Sequence, residues 1–358
     1  MRFRGGADVE CLTAAQVTAD VVADWADLAE RAVERNPFAE PAFALPALRH
    51  LGPGRAALLV VRRDGVAVAA LPVATRRRWR RLPLPVTAGW RHEHCYLGTP
   101  LLDGSDPRGA AELLVDAMVG LRGRSGAAVL EWIPLEGPAT SALLDAARGR
   151  RGSPLWWERF DRAALLAGPG AVADRTDHRH RRLRRKSRAL ERDVGPVVVR
   201  DRAADESAVG AFLELEAGSW KGREATALGS SPDSAAFFAA MCEAARVAGQ
   251  LELLGLSAGD TTVAMACNLV AGDGVYHFKS AFDEGTSKYS PGALLMLDVR
   301  DHFDGSAARL RDSCADPGSP LFEELWPDRI GVGTLVIPRG RAAWTVLAPL
   351  ARSRRLLR

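Results

Sequence analysis

Apolar and polar positions repeat in two matching blocks of the chain, and each block predicts a β-hairpin. Residues 56–74 form two apolar runs around a polar turn at Asp64, and residues 250–270 do the same around Gly259. A glycine beside an aspartate between apolar runs is a strong hairpin signal. Because the two blocks lie about half a chain length apart, the pattern predicts two structurally related domains.

Helical spacing of apolar residues surrounds both blocks. It predicts a helix over Thr18–Arg35 before the first hairpin, and helices over Ser207–Trp220 and Ser234–Val247 before the second. After the second hairpin, an apolar strand over Val275–Phe282 leads to a helix over Ala293–Phe303. This alternation predicts an α/β fold.

Domain boundaries follow from a small-residue linker. Gly168-Pro169-Gly170 is typical of a linker. We therefore expect an amino-terminal domain over 1–168 and a carboxy-terminal domain over 171–358.

Composition narrows the class of protein. The chain has 358 residues, 47% of them hydrophobic and 26% charged, which suffices for two cores and excludes a disordered chain. Five cysteines without close spacing indicate reduced thiols, and no apolar run is long enough for a membrane span. We therefore expect a cytoplasmic protein without a membrane partner.

The net charge of +4 hides a single basic band. Residues 175–192 hold nine Arg or Lys against Asp177 and Glu191, so the band carries +7 and the other residues sum to −3. Leu183 and Leu190 recur at helical spacing, and Asp177 can cap the helix. The band fits either a solvated helix or a surface for an anionic partner. Because no aromatics interleave, single-stranded nucleic acid is disfavoured.

Several stretches of the second half carry a resemblance to a known family. They are RRLRRKSRALER, FLELEAGSWKGR, GQLELLGL with VAMACNLV, YHFKSAFDEGTSKYSPGALLMLDV and DSCADPGSPLFEELWPDR. Over Asp177–Val336 the chain resembles the CelD-like or BioF2-like acetyltransferases of the GNAT superfamily. The first half resembles the degenerate amino-terminal repeat of that family.

The resemblance implies tandem GNAT-fold domains, each a mixed, mostly antiparallel sheet flanked by helices, with the second domain catalytic. It implies an N-acyltransferase that moves an acyl group from a pantetheine thioester to an amine of a small molecule, sugar or peptide. The donor is acyl-CoA or the phosphopantetheine of an acyl carrier protein, and no metal is expected.

The family pattern also locates the donor. In that family the pantetheine arm lies along the fourth strand, and the pyrophosphate lies at the start of the next helix. The resemblance places these two parts of the donor at six residues of this chain. They are Phe278, Lys279, Ser280, Ser290, Pro291 and Gly292. GNAT enzymes often carry an Arg/Gln-x-x-Gly-x-Gly/Ala loop at this turn, whereas this chain has a single glycine there. Fewer glycine N–H groups keep a carrier-protein donor as an alternative.

Amine acylation needs a base near neutral pH, and His277 and Asp312 are the candidate catalytic residues. Strand alternation predicts that His277 and Lys279 face one side of the sheet and Phe278 the other. Asp312 ends the next predicted strand. The ordinary alternatives are a satisfied core histidine and a structural carboxylate.

Candidate acceptor contacts are Trp220, Lys221, Asp283 and Cys314, although Trp220 is also a natural core anchor and Cys314 a natural buried thiol. His92-Glu93-His94-Cys95 has no zinc-finger or HExxH spacing, so we interpret it as a loop.

Two other functions stay open at the level of sequence. The related FemAB-like transferases use aminoacyl-tRNA, which would make nucleic acid a partner of this chain. A non-catalytic module could instead bind an acidic partner through Arg175–Arg192.

Overall fold

The computed structural model describes residues 7–121, 125–148, 150, 152–168, 178–224 and 227–356. The chain divides into two compact units: unit 1, made of Met1–Phe160 with Gly331–Arg358, and unit 2, made of Asp161–Ile330. Of the predicted linker, Pro169 and Gly170 lie outside the described residues, as does the predicted cap Asp177.

Unit 1 is built around a mixed, mostly antiparallel sheet. Strands β1 to β4 pair antiparallel in chain order, β4 then pairs parallel with β6, and β6 pairs antiparallel with β13. Its elements are β1 Ala7–Leu12, α1 Ala19–Glu30, α2 Pro41–His50, β2 Ala57–Arg63, β3 Val66–Arg76, β4 Val86–Gly89, β5 Leu101–Leu102, α3 Pro107–Gly120, β6 Ala127–Pro134, α4 Pro138–Ala147, β7 Leu155–Leu166, β13 Asp328–Pro338 and α10 Arg341–Leu356.

Unit 2 repeats this order. Strands β8 to β11 pair antiparallel, β11 pairs parallel with β12, and β12 pairs antiparallel with the end of β7. Its elements are α5 His178–Asp193, β8 Val197–Asp201, α6 Ala208–Ala217, α7 Trp220–Arg223, α8 Pro232–Val247, β9 Leu251–Ala258, β10 Thr261–Ala271, β11 Gly274–Phe282, α9 Pro291–Asp301 and β12 Leu310–Asp312. The predicted fold class, with one architecture used twice, is confirmed.

Helices cover both faces of the sheet of unit 2. Leu183 and Leu190 of α5 and Leu295 of α9 pack on one face. On the other face, Phe212 of α6 and Phe238 of α8 are fully buried. The basic band is therefore an amphipathic helix, whose two leucines bury it against the core.

The last strand does not belong with the unit that precedes it in sequence. Residues of β13 from Val332 onward pair with β6, and Leu335 and Ile337 lie in the core of unit 1. Unit 2 instead takes the end of β7. This division differs from the predicted segments 1–168 and 171–358, because strand pairing across long sequence distances leaves no local signal.

Within the described residues, no helix has both the length and the apolar character needed to cross a membrane.

Candidate active site

The parallel strands β11 and β12 separate in the middle of unit 2. Their pairing covers three residue pairs and ends at Tyr276 opposite Asp312. β12 stops there, whereas β11 continues to Phe282. Beyond Tyr276, β12 therefore no longer flanks this side of β11. Extended ligands bind along such strand edges through main-chain hydrogen bonds.

The edge leads to the positive end of α9. Ser290 precedes the helix in the left-handed region, with φ 59°, and its side chain makes no capping hydrogen bond. The Nζ of Lys186 instead donates to Ser290 Oγ at 2.7 Å. A helix N-terminus attracts anions, and here a cation stands beside it.

There is room for a ligand at this turn. A Cβ built on Gly292 would meet only one atom within 4 Å, Phe282 Cδ1 at 3.8 Å. Leu294 donates its N–H to the carbonyl of Ser290, so the helix itself does not use the N–H groups of Gly292 and Ala293. These two donors and Lys186 fit one phosphate group.

Helix α5 is held against α9 and the turn before it. Tyr289 Oη donates to Asp193 Oδ2 at 2.6 Å at the end of α5. In the middle of α5, Arg184 forms an ion pair with Asp301, the last residue of α9. These contacts fix the position of Lys186 relative to the N-terminus of α9.

His277 lies where the two strands separate, and a polar chain fixes its orientation. Its Nδ1 is 2.9 Å from Asn268 Oδ1, while Asn268 Nδ2 donates to Glu252 at 2.7 Å. Arg311 holds both carboxylate oxygens of Glu252 at 2.7 and 2.8 Å. Because the amide nitrogen of Asn268 serves Glu252, its oxygen accepts from His277. The proton of a neutral His277 is then on Nδ1, and Nε2 is the basic nitrogen.

Asp312 is engaged in a buried ion pair. It contacts Arg162, both side chains being 1% exposed, and its Oδ1 accepts the N–H of Cys314 at 2.8 Å. Burial acts to lower the pKa of Arg162, but the charge of Asp312, its hydrogen bond and smaller effects of Cys314 and Tyr276 together raise that pKa above its ordinary value. Cys314 is itself buried, with φ 50°. The carboxylate thus neutralises a buried guanidinium and holds the turn after β12.

The predicted alternation along β11 is wrong at Lys279. Phe278 stacks on Phe238 of α8 with ring centroids 6.0 Å apart, and Lys279 Nζ reaches the buried Glu216 of α6 at 3.3 Å. Both side chains therefore face the same helix layer. The cause is a β-bulge in β11. Cys267 of β10 pairs with Lys279 and its neighbour Asn268 pairs with His277, so Phe278 is an extra residue between them.

The remaining predicted residues have mixed surroundings. Ser280 stands opposite Ala266 in the sheet, and Asp283 accepts the N–H of Gly285 at 2.9 Å and so caps a turn. Trp220 and Lys221 lie in α7, and their side chains are outside the described part of the chain. The structure brings His277, Asp312 and Cys314 to the strand separation, and Ser290, Pro291 and Gly292 to the helix N-terminus.

Five residues that sequence reasoning did not single out complete the site: Lys186, Arg162, Glu252, Asn268 and Arg311. Only Lys186 had a signal, as a member of the basic band. Arg162 contacts the site from a strand distant in sequence. Asn268, Glu252 and Arg311 take part through pairings between side chains of different strands, which a single sequence does not reveal.

The matching place in unit 1 is filled by its own chain. The buried Asn36 donates to the carbonyls of Leu97 and Thr99, and the N–H of Gly98 donates to Trp132 of β6 at 3.1 Å. This holds the segment 97–99 beside β6. The remaining cavity measures about 20 Å³, with Arg91 among its lining residues, which is room for about one water.

The histidines of this loop serve packing. His92 stacks on Phe43 at 5.8 Å, and its ring lies 4.6 Å from that of Trp90. Burial, with smaller effects of the charges of His94 and Arg91, lowers the pKa of His92 to about 3. Burial also raises the pKa of the Cys95 thiol to about 12. In the described part of the chain, no three His, Cys, Asp or Glu side chains are placed to share a metal ion.

Comparison with known proteins supports the fold and the chemistry. Residues 177–306 match a family model described as an acetyltransferase (GNAT) domain. The sequence matches no curated protein.

Among solved structures, FemX is similar at a TM-score of 0.55 and 11% identity, covering 91% of this chain and 98% of its own. The C-terminal domain of a protein described as a lysylphosphatidylglycerol synthetase, from Agrobacterium fabrum, is similar at 0.54 and 14%, covering 92% and 95%. A protein from Bacteroides thetaiotaomicron is similar at 0.54 and 10%, covering 88% and 97%.

At these identities the structural likeness concerns the fold, whereas the family match concerns most of unit 2. Residues 177–306 match a GNAT acetyltransferase domain, and the chain is an acyltransferase.

Proposed function

We propose that the chain is an N-acyltransferase that moves an acyl group from a pantetheine thioester to an amine of a small molecule, sugar or peptide. The observation that carries this proposal is the strand edge of β11 beyond Tyr276, which leads to the uncapped N-terminus of α9 beside Lys186. The pantetheine arm lies along that edge, and its phosphate lies at Gly292.

The reaction forms one bond and breaks one. The neutral amine attacks the thioester carbonyl carbon, the C–N bond forms and the C–S bond breaks. The amine proton passes to a base, and the leaving thiolate takes up a proton. We assign the base to Nε2 of His277, because Asn268 and Glu252 hold the proton of its neutral form on Nδ1.

Asp312 has a positioning role in this proposal. Its carboxylate is committed to Arg162 and to the turn at Cys314, so it fixes the point where the strands separate. On the acceptor side we retain Trp220, Lys221 and Asp283, which lie at or near the helix layer and the turn next to β11. The narrower membership in the CelD-like or BioF2-like acetyltransferases is part of the same proposal.

The test is donor binding followed by thiol release. The melting temperature of the purified protein is measured with acetyl-CoA, with a long-chain acyl-CoA and with acetyl-pantetheine. In a separate assay, the release of free thiol is measured in the presence of a panel of amines. We expect the thioester donors to raise the melting temperature. Gly292→Trp should abolish this shift, because the indole would fill the space at the helix N-terminus. Arg108→Trp, at the matching exposed place in α3, is the control and should keep it. If no pantetheine donor binds the wild-type protein, the proposed function fails.

A second function is favoured by one observation, the exposed basic surface of α5. Aminoacyl transfer from tRNA would place phosphates on that surface. The test is binding of aminoacyl-tRNA and transfer of its aminoacyl group to an amine. If the affinity falls steeply with salt and the amine is aminoacylated, aminoacyl-tRNA is the donor instead of a thioester.

A further inference from the structure

The exposed side of α5 carries a regular row of arginines. Arg181, Arg185, Arg188 and Arg192 follow each other at i, i+4, i+7 and i+11, so they share one face of the helix. All four are exposed, whereas Leu183 and Leu190, on the opposite face, are buried. We call these four residues the arginine stripe. It spans about 16 Å at 1.5 Å per residue.

The charges of the stripe are not compensated within the described protein. Elsewhere on α5, Arg179 forms an ion pair with Glu324 and Arg184 with Asp301. In the described residues, Arg181, Arg185 and Arg188 form no ion pair with an acidic side chain. Like charges at i, i+4 on a helix repel each other and destabilise it. If an anionic partner binds, attraction between its charges and these arginines offsets their mutual repulsion.

The stripe adjoins the donor site through its own helix. Lys186 follows Arg185 directly and reaches Ser290 at the N-terminus of α9. Pro291 has no N–H, so the described contacts at the helix start provide the main-chain donors of Gly292 and Ala293 and the cation of Lys186. That set fits a single phosphodiester. Free CoA brings a pyrophosphate and a further phosphate, whereas the phosphopantetheine arm of a carrier protein brings one phosphate.

We propose that the arginine stripe is the docking surface for an acidic acyl carrier protein, whose phosphopantetheine arm enters the site at α9. This inference rests on the proposed function and adds its partner. A single helix face of about 16 Å matches one acidic helix or loop of a small protein. A long RNA would extend past the basic band onto a chain whose residues outside 175–192 sum to −3, and the stripe has no aromatic residue for base stacking.

The experiment compares two triple charge reversals. Fluorescence anisotropy measures binding of a labelled, pantetheinylated acyl carrier protein of bacterial type II fatty-acid synthesis to the full chain, and calorimetry measures binding of CoA. R181E/R185E/R188E changes the stripe. R55E/R77E/R78E makes the same charge change at exposed arginines of unit 1. Circular dichroism melting confirms that both variants fold, and R181A/R185A/R188A replaces the reversal if it does not.

We expect the stripe variant to bind the carrier protein at least 20-fold more weakly than the wild type, the control variant to stay within twofold, and CoA binding to stay within twofold in both. Equal carrier affinity in the stripe and control variants would overturn the proposal. So would a wild-type chain that binds a tRNA-sized RNA through the stripe but not the carrier protein. Failure of the proposed function is visible separately, as the absence of any CoA or acetyl-pantetheine binding by the wild type.

Discussion

The two units differ most at the helix that follows their fourth strand. In unit 1, Asp106 caps α3 by accepting the N–H of Gly109 at 2.9 Å, and Arg63 contacts the same carboxylate at 2.8 Å. In unit 2, Ser290 leaves α9 uncapped and Lys186 stands beside it. The protein supplies its own anion in the first case and offers a site for an external one in the second. One N-cap residue therefore separates a structural helix from a candidate donor site on the same fold.

The strand separation shows the same contrast. In the parallel register, Ala128 and Val129 of β6 correspond to Arg311 and Asp312 of β12. Gly89, which follows the last paired residue of β4, corresponds to His277. Unit 1 has buried apolar residues where unit 2 has an ion pair and a polar chain. We infer that unit 1 lacks the groups needed to bind a donor and to move a proton.

The largest effect should come from breaking the buried ion pair. Asp312→Asn leaves Arg162 charged and unneutralised, which should lower the free energy of unfolding of unit 2 by about 3–5 kcal/mol. Because Val129 fills the matching place in unit 1, the fold does not require a charge there. The double variant R162M/D312L should therefore recover most of the loss in urea unfolding. A double variant as unstable as Asp312→Asn would contradict this interpretation.

The next effect concerns catalysis. His277→Gln should lower kcat by about 10²–10³-fold and leave donor affinity unchanged, because it removes the base but not the donor contacts. Thiol release over a range of pH measures it, and the limb of the pH profile due to the base should disappear. His302→Gln changes an exposed histidine of α9 and should keep the wild-type rate. Wild-type kcat in His277→Gln would remove this residue from the mechanism.

A smaller effect should follow from giving unit 2 the cap of unit 1. Ser290→Asp introduces a carboxylate that aspartate can place in the left-handed region, where it repels a donor phosphate and pairs with Lys186. CoA affinity by calorimetry should fall about 30-fold. The reciprocal Asp106→Ser should cost about 1 kcal/mol of stability and leave CoA affinity unchanged. Equal CoA affinity in wild type and Ser290→Asp would place the phosphate elsewhere.

Displacing the segment 97–99, which fills the matching place in unit 1, should lower stability and leave donor affinity unchanged. A Cβ at Gly98 would collide with the carbonyl oxygen of Glu131. Gly98→Ala should therefore lower the free energy of unfolding by about 2 kcal/mol without changing donor affinity. Gly210→Ala is the control, since its Cβ meets no atom within 4 Å and lies inside a helix. It should be neutral or slightly stabilising.

The smallest effect is a pH dependence. The pKa of His92 is about 3 in the folded chain, well below its ordinary value of 6.5. The unfolded chain therefore binds a proton below pH 6.5 that the folded chain does not, and stability is lost as the pH falls from 6.5 toward 3. His92→Phe should reduce the loss between pH 7.5 and pH 5.8 by about 1 kcal/mol, measured by urea unfolding at both values. An unchanged loss would mean that another group causes it.

Local pattern predicted much of the fold. The two hairpins became β2–β3 and β9–β10, and the helix predicted over Ala293–Phe303 is α9, Pro291–Asp301. These features depend on neighbours in sequence, namely turn chemistry and periodicity. The donor turn at Ser290, Pro291 and Gly292 and the base candidate His277 came instead from the resemblance to the GNAT acetyltransferases.

Long-range contacts could not be predicted in this way. The bulge at Phe278 depends on the register with β10, and the pair of Arg162 with Asp312 joins strands 150 residues apart in sequence. The role expected of Asp312 changes for that reason, because a partner not visible in the motif holds its carboxylate. Local sequence therefore predicts turns and helix ends, and it does not predict which side chains meet across a sheet.

The placement of β13 also bears on the order in which the protein is made. Unit 2 is continuous in sequence and leaves the ribosome before residues 331–338, whereas β6 of unit 1 must wait for exactly those residues to become its neighbour. The amino-terminal unit, although synthesised first, therefore completes its sheet last. During that interval the partner edge of β6 is available for wrong pairing, which makes β6 the segment of the nascent chain most in need of protection.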